Sequence, residues 1–227
     1  MGNNQFIYRK INPSSEDDIK KYFDCNKQLD NYLGRNVTPF TEEQVMWLRV
    51  RMGASELLPG SDEETLSYKK EIKQMPDEHC FVCELGDEFI GYVFVLTYHI
   101  VDGKRPDDNI GIISEIYVKD KYRQGLIAYN LLQLACDTLL KANKTAAILN
   151  VQEHNPNRFL HFALADKILE KEEYTRENGS VSIDYSLLIS DINKIKTMSA
   201  RELATRAIKI KKNYIENNLS SPEFVTN

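Results

Sequence analysis

The chain has no unbroken apolar run of about 18 residues, which argues against a membrane-spanning helix. Its first ten residues, MGNNQFIYRK, lack the apolar block of a secretion signal. Gly2 has no Ser or Thr at position 6 to complete a myristoylation pattern. Positive charge is not in excess: 29 Lys and Arg against 34 Asp and Glu leave a net charge of -5. That weighs against nucleic acid as a partner, since phosphate-backbone binding needs clustered positive charge. It is compatible with a cationic small molecule or a basic peptide as substrate. There are four cysteines, Cys25, Cys80, Cys83 and Cys136. With no secretion signal, a cytoplasmic location and free thiols are expected. Cys80 and Cys83 stand three apart in a strand-like run and so face opposite ways. No second pair exists to complete a zinc site. None of His79, His99, His154 and His161 lies near an Asp or Cys at triad or metal spacing, so no metal is expected. No repeat or low-complexity segment is present.

What is present suits a globular protein: 227 residues, 42% hydrophobic and 28% charged. Residues 5–11 alternate as a first strand. Ser15 can cap a helix to about Leu33, with Asp17 and Asp18 in its first turn. Thr41 with Gln44, and Ser61 with Glu64, form capping-box patterns before two further helices, the second ending near Met75–Pro76. GASELLPGS between them reads as a loop. Residues 79–85 and 88–100 read as a hairpin about Gly86–Asp87, residues 101–109 as a turn-rich loop and residues 109–118 as a strand. Helical spacing follows over 123–142, then a buried strand at 146–151. Asn155 and Pro156 open another helix, Gly179 makes a turn, and 181–189 is the last strand. This order implies an α/β or α+β domain on one mixed sheet.

The tail differs in character. Ser199 with Glu202 is another capping box. Ala200, Ala204, Ala207, Ile208, Tyr214 and Ile215 form a stripe on one helix. It is read either as docked on the domain or as a contact with a second copy or partner. Residues 1–190 are taken as the main domain, with a helical insertion at about 41–75, and 191–227 as a helix and a loose end.

Function turns on DKYRQGLIAYNLL (120–132). A strand ends at Val118, a short turn follows, and a helix begins at about Ile127. A helix start exposes unpaired N–H groups and a partial positive charge, a geometry that binds phosphate oxygens. Arg123 adds a fixed charge and Gly125 permits close backbone approach.

With its surroundings, the segment resembles the acetyl-CoA-binding motif of the GNAT superfamily of N-acetyltransferases. The motif has a strand ending in Val and a basic residue or Gln five later. Two residues, Gly, one residue, and Gly or Ala then follow. Here these are Val118, Arg123, Gln124, Gly125, Leu126, Ile127 and Ala128. LNVQEHNPNRFLHF also resembles the family's next strand, Asn and helix, with Asn155 on the family's Asn. The likeness covers roughly residues 80–190. Leu126 stands at the usual first Gly, where a side chain resists positive φ. Phe162 stands where many members carry a Tyr that protonates the departing sulfur.

The resemblance implies a GNAT-like mixed, largely antiparallel sheet flanked by helices, with an extra C-terminal helix. It implies acyl transfer from acetyl-CoA, as co-substrate, to a primary amine of a small molecule or peptide. Ile116, Tyr117, Val118, Arg123, Gln124, Gly125, Leu126, Ile127, Ala128, Asn155, Phe159 and Phe162 are the implied cofactor residues. Glu115, among apolar neighbours that would raise its pKa, is the candidate base, and Tyr117 the candidate acid; Glu153 is a weaker base. Spacing puts Glu115 on the face opposite Val118. Tyr32, Phe40, Trp47 and Tyr68 are read as helix packing or as an aromatic wall for the amine. A longer acyl-CoA or an acyl carrier protein as donor, and a non-catalytic GNAT-fold module, are the alternative readings.

Overall fold

A computed structural model describes residues 5–33, 39–74, 77–99, 109–123, 126–175 and 181–216. Residues 101–108, Gly179 and the end of the tail therefore lie outside the described residues. The elements in chain order are β1 (Ile7–Lys10), α1 (Glu16–Leu33), α2 (Glu42–Arg51), α3 (Glu63–Gln74), β2 (Glu78–Leu85), β3 (Glu88–Leu96) and β4 (Ile110–Val118). They continue with α4 (Ile127–Lys141), β5 (Ala146–Gln152), α5 (Arg158–Leu164), β6 (Lys167–Thr175), β7 (Val181–Ile189), α6 (Ile192–Thr197) and α7 (Ala200–Glu216). The seven strands form one sheet in the order β1-β2-β3-β4-β5-β7-β6. Only β4 and β5 are parallel neighbours; the other pairs are antiparallel.

Helix starts follow the local chemistry. The Ser15 hydroxyl accepts from the Asp18 amide at 3.2 Å. Thr41 and Gln44 complete a reciprocal capping box, as do Ser199 and Glu202. At α3 the cap is Asp62, whose carboxylate accepts from the Thr65 amide at 2.9 Å, one residue later than the expected Ser61. Asn155 and Pro156 form a turn ahead of α5 rather than its first turn, and the helix begins at Arg158. GASELLPGS contains one short 3-10 turn, Ser55–Leu57.

The sheet separates two apolar layers. On one face α4, α5, α6 and α7 pack around Leu131, Leu139, Leu149, Phe162, Leu187 and Ile210. On the other, α1 and α2 cover Cys80, Val82, Tyr92 and Tyr117. Cys80 and Cys83 therefore bury into different layers, both as free thiols. The stripe that docks α7 is Leu203, Ala207 and Ile210, while Ile208 and Ile215 point outward. The Tyr214 hydroxyl donates to Glu153 Oε1 at 3.0 Å. The Tyr129 hydroxyl donates to the Met198 carbonyl at 2.7 Å. These bonds fix both ends of α7 to the body.

Two local features shape the centre. The register of β3 against β4 shifts where Phe94 pairs with Glu115 and Val95 with Ile113, leaving Ser114 as the extra residue of a bulge. The bulge lets Ile113 and Ile116, three apart, share the α4 face, while Glu115 meets α1. Gly91 pairs with Val118. A Cβ at Gly91 would stand 2.7 Å from the Tyr117 carbonyl oxygen, so glycine is what lets β3 lie this close to β4.

Candidate active site

The parallel pairing of β4 with β5 runs only from Ile110 opposite Ala146 to Ile113 opposite Leu149. Past that point residues 114–118 of β4 and 150–152 of β5 no longer pair with each other. The β5-facing edge of β4 then has no strand partner, and a cleft opens between the two strands.

Two cavities meet in this cleft. The larger, about 300 Å³, lies among the end of β4, the start of α4, α5 and α7. It is lined by Ile116, Tyr117, Val118, Arg123, Leu126, Ala128 and Asn155, seven of the residues singled out from the sequence. Leu132, Leu160, Leu164 and Leu203 give it an apolar wall. The smaller, about 210 Å³, lies along the diverging strands and holds Glu115, Asn150, Gln152 and Asp184. Leu29, Ile116, Asn155 and His161 line both cavities.

Helix α4 starts at the larger cavity without a capping side chain and with no acidic residue in its first turn. Its first amides therefore keep their donors for another acceptor. Leu126 adopts φ -83°, so this position needs no left-handed conformation and a leucine fits without strain. Its side chain is 59% exposed at the rim. Ile127 supplies its backbone at the same turn, while its side chain is in the core. Gln124 and Gly125 lie outside the described residues. Arg123 donates from Nε to the Val118 carbonyl at 2.8 Å and pairs with Asp120 at 2.7 Å. Its guanidinium lies 4.0 Å from the centre of the Tyr32 ring. The Tyr32 hydroxyl is buried with no hydrogen-bond partner among the described residues.

Of the four early aromatics, Tyr32 alone lines a described cavity. Trp47 packs with Val50, Leu58 and Ile72, and Phe40 against Phe23. Phe159 and Phe162 are core residues outside both cavities: Phe162 packs edge-on against Tyr185 at 5.3 Å and Phe159 against Tyr214 at 5.6 Å. Glu153 accepts from Tyr214 and lies 3.4 Å from Arg158, so it anchors α7 to α5.

Glu115 Oε2 accepts hydrogen bonds from the Tyr92 hydroxyl at 2.8 Å and from Asn26 Nδ2 at 3.0 Å. These two donors fix the carboxylate at the smaller cavity. Tyr117 is 6% exposed, and burial pushes its hydroxyl above the usual tyrosine pKa, so it stays protonated. His161, which the sequence places beside Phe162 as a further source of a proton, lines both cavities, a position its spacing alone does not announce. Its Nδ1 lies 3.2 Å from the Asn157 carbonyl. Burial lowers its pKa below the ordinary histidine value, which favours the neutral ring. No cluster of three or more metal-binding side chains occurs among the described residues.

The model of the acetyltransferase (GNAT) family matches residues 46–161. No curated protein matches the chain. Among solved structures, a probable acetyltransferase from Staphylococcus epidermidis aligns at 13% identity, with a TM-score of 0.53, covering 81% of this chain and 98% of that one. An N-acetyltransferase from Staphylococcus aureus Mu50 aligns at 15% identity and 0.51, covering 83% and 99%. A chain of the NatC complex bound to Gag peptide and CoA aligns at 14% and 0.51, covering 82% and 98%. At these identities the likeness shows the fold.

Proposed function

Because the chain belongs to the GNAT family of acetyltransferases, we propose that it transfers an acetyl group from acetyl-CoA to a primary amine by direct attack. The observation that carries this reading is the cleft: β4 and β5 separate beyond Ile113 and Leu149 at the uncapped start of α4. The first amides of α4 would hold the pyrophosphate, helped by the partial positive charge of the helix start. The pantetheine arm would run along the apolar wall of the larger cavity, and the thioester would reach the junction at Ile116, Asn155 and His161. The NatC complex, one chain of which aligns with this one, is bound to CoA in its structure.

The acceptor enters from the smaller cavity, where Glu115 attracts its ammonium and takes one proton. The free amine attacks the thioester carbonyl carbon, and its nitrogen, cationic in the tetrahedral adduct, gives its second proton to water as the adduct collapses. Backbone amides on the unpaired edge of β4 stabilise the oxyanion. The carbon–sulfur bond breaks and the sulfur leaves as a thiolate, protonated by Tyr117 or by water. A thiol pKa of about 8.5 makes that thiolate a tolerable leaving group. Most of the rate enhancement in such a site comes from holding donor and acceptor together. Phe162 lies in the core and cannot replace this proton donor.

The test is release of free CoA thiol from acetyl-CoA in the presence of primary amines. Amine-dependent release that falls about 10²–10⁴-fold in Glu115→Gln supports the assignment. Release that is independent of amine, or indifferent to Glu115, contradicts it.

A further inference from the structure

Helices α1 and α2 cover one face of the sheet over its β1–β4 half. Over β5, β7 and β6 the same face carries Ile148, Leu188 and Lys167 in one row and polar side chains in the two rows beyond it. Leu149, Val151, Tyr185 and Leu187 point into the α4 layer, so their neighbours along each strand point the other way. Register then aligns Asn150, Ser186 and Glu170 in one row, and Gln152, Asp184 and Glu172 in the next. These rows contain three carboxylates and no Lys or Arg. They lead directly into the smaller cavity, lined by Glu115 and Asp184 and by no Lys or Arg.

Charge alone does not identify a ligand here. The second observation is at Gln152, which is 6% exposed and lines the same cavity. Its Oε1 is buried without a hydrogen-bond partner among the described residues, and so is Oδ1 of Asp184, the residue paired with it across the strands. The Tyr174 hydroxyl reaches both side chains through their other polar atoms, at 3.4 Å in each case. Two acceptor oxygens on paired residues are thus left with no donor among the described residues. Such groups are costly to leave unpaired, and a charged donor satisfies them best.

We propose that the acceptor is a linear diamine or polyamine, whose second ammonium group docks at Gln152 and Asp184 while the reacting nitrogen lies at Glu115. This names the substrate class for the acetyltransferase cleft and rests on that reading of it. Glu115 and Asp184 sit on strands separated by one other, so they are at least roughly 10 Å apart, the value for ordinary strand spacing, because β4 and β5 diverge at this level. A chain of about eight bonds covers that span. Longer diamines and spermidine fit, whereas ethylenediamine is too short.

The experiment compares CoA thiol release with hexylamine, ethylenediamine, hexamethylenediamine and spermidine. Wild type, Asp184→Asn and Glu172→Gln are used, with the thermal shift by acetyl-CoA measured on each. In wild type, kcat/KM for the two longer amines is expected about tenfold or more above hexylamine, the value of one charge-assisted hydrogen bond. The preference should collapse in Asp184→Asn and weaken in Glu172→Gln, whose exposed side chain can change without disturbing the core. Equal kcat/KM for hexylamine and the longer amines overturns the proposal, as does an undiminished preference in both variants. Transfer to a lysine-rich peptide but not to spermidine overturns it in favour of a polypeptide acceptor. A protein that binds acetyl-CoA but acetylates none of these amines overturns the second-cation proposal alone. One that does not bind acetyl-CoA overturns the underlying reading too.

Discussion

Arg123 Nε donates to the carbonyl of Val118, five residues earlier, at 2.8 Å, bracing the start of the segment that joins β4 to α4. The same guanidinium pairs with Asp120 and lies over the Tyr32 ring. The side chain that sequence pattern marks as a phosphate ligand is therefore also a brace. It ties the strand end, the turn and the last turn of α1 together around the larger cavity. Any loss of function on removing Arg123 combines a lost charge with a loosened turn.

Leu126 gives a way to test the helix start without touching Arg123. Leu126→Asp places a negative charge at the first turn of α4, where it would repel a pyrophosphate. The acetyl-CoA dissociation constant should rise, by an amount corresponding to about 1–2 kcal/mol. Leu126→Gly should change it less, since the backbone already has a negative φ and needs no glycine. Isothermal calorimetry on both variants gives the comparison. Equal weakening by Asp and Gly would show that leucine packing, not the helix start, matters.

Gly91→Ala should destabilise the protein by about 1–3 kcal/mol, the usual cost of overpacking. The added methyl would meet the Tyr117 carbonyl at 2.7 Å and crowd Val118, where β3 supports the cleft edge of β4. Urea unfolding measures the loss. An unchanged midpoint would mean that β3 and β4 separate freely here, against the close pairing of Gly91 with Val118.

Asp18 and His161 are two of the groups that shape the acid side of the stability curve. The Arg9 guanidinium, bonded at 2.6 and 2.8 Å, holds the Asp18 carboxyl below its usual pKa. A depressed carboxylate stabilises the fold above its unfolded pKa of about 3.9, and that stability disappears as pH falls through the folded value. Arg9→Met should remove it and leave the buried Asp18 poorly compensated, at a cost of about 2–3 kcal/mol near neutrality. Burial depresses His161 instead, so the unfolded chain takes its proton first. Stability should then fall as pH drops below about 6.5, and His161→Gln should flatten that part of the curve. Urea midpoints between about pH 7.5 and 3 resolve both effects. A His161→Gln curve parallel to wild type would contradict the histidine assignment.

Much of this arrangement is legible in the sequence because local chemistry decides it. The capping boxes at Thr41 and Ser199 act over three residues. The strand, turn and helix from Ile110 to Lys141 carry strong apolar patterns with a clear break. What escapes is what tertiary context decides. KILEKEEYT (167–175) is an exposed edge strand, so it has no alternation of buried and exposed positions to announce it. The bulge at Ser114 leaves no local mark, yet it sends Glu115 and Ile113 to different layers. On α7, Ile208 and Ile215 look like core residues, but their phase on the helix turns them outward. Phe162 sits in the motif region but faces Tyr185 inside the core. His161 belongs to the site only because α5 brings it to the place where two cavities join.

The most direct test of a CoA site at the start of α4 is the thermal midpoint with and without acetyl-CoA, for wild type and Arg123→Ala. At about 100 times its dissociation constant the ligand should add roughly 2.7 kcal/mol, a shift of several degrees. The account predicts that shift in wild type and a much smaller one in Arg123→Ala at the same ligand concentration. No shift in wild type at millimolar acetyl-CoA would contradict it.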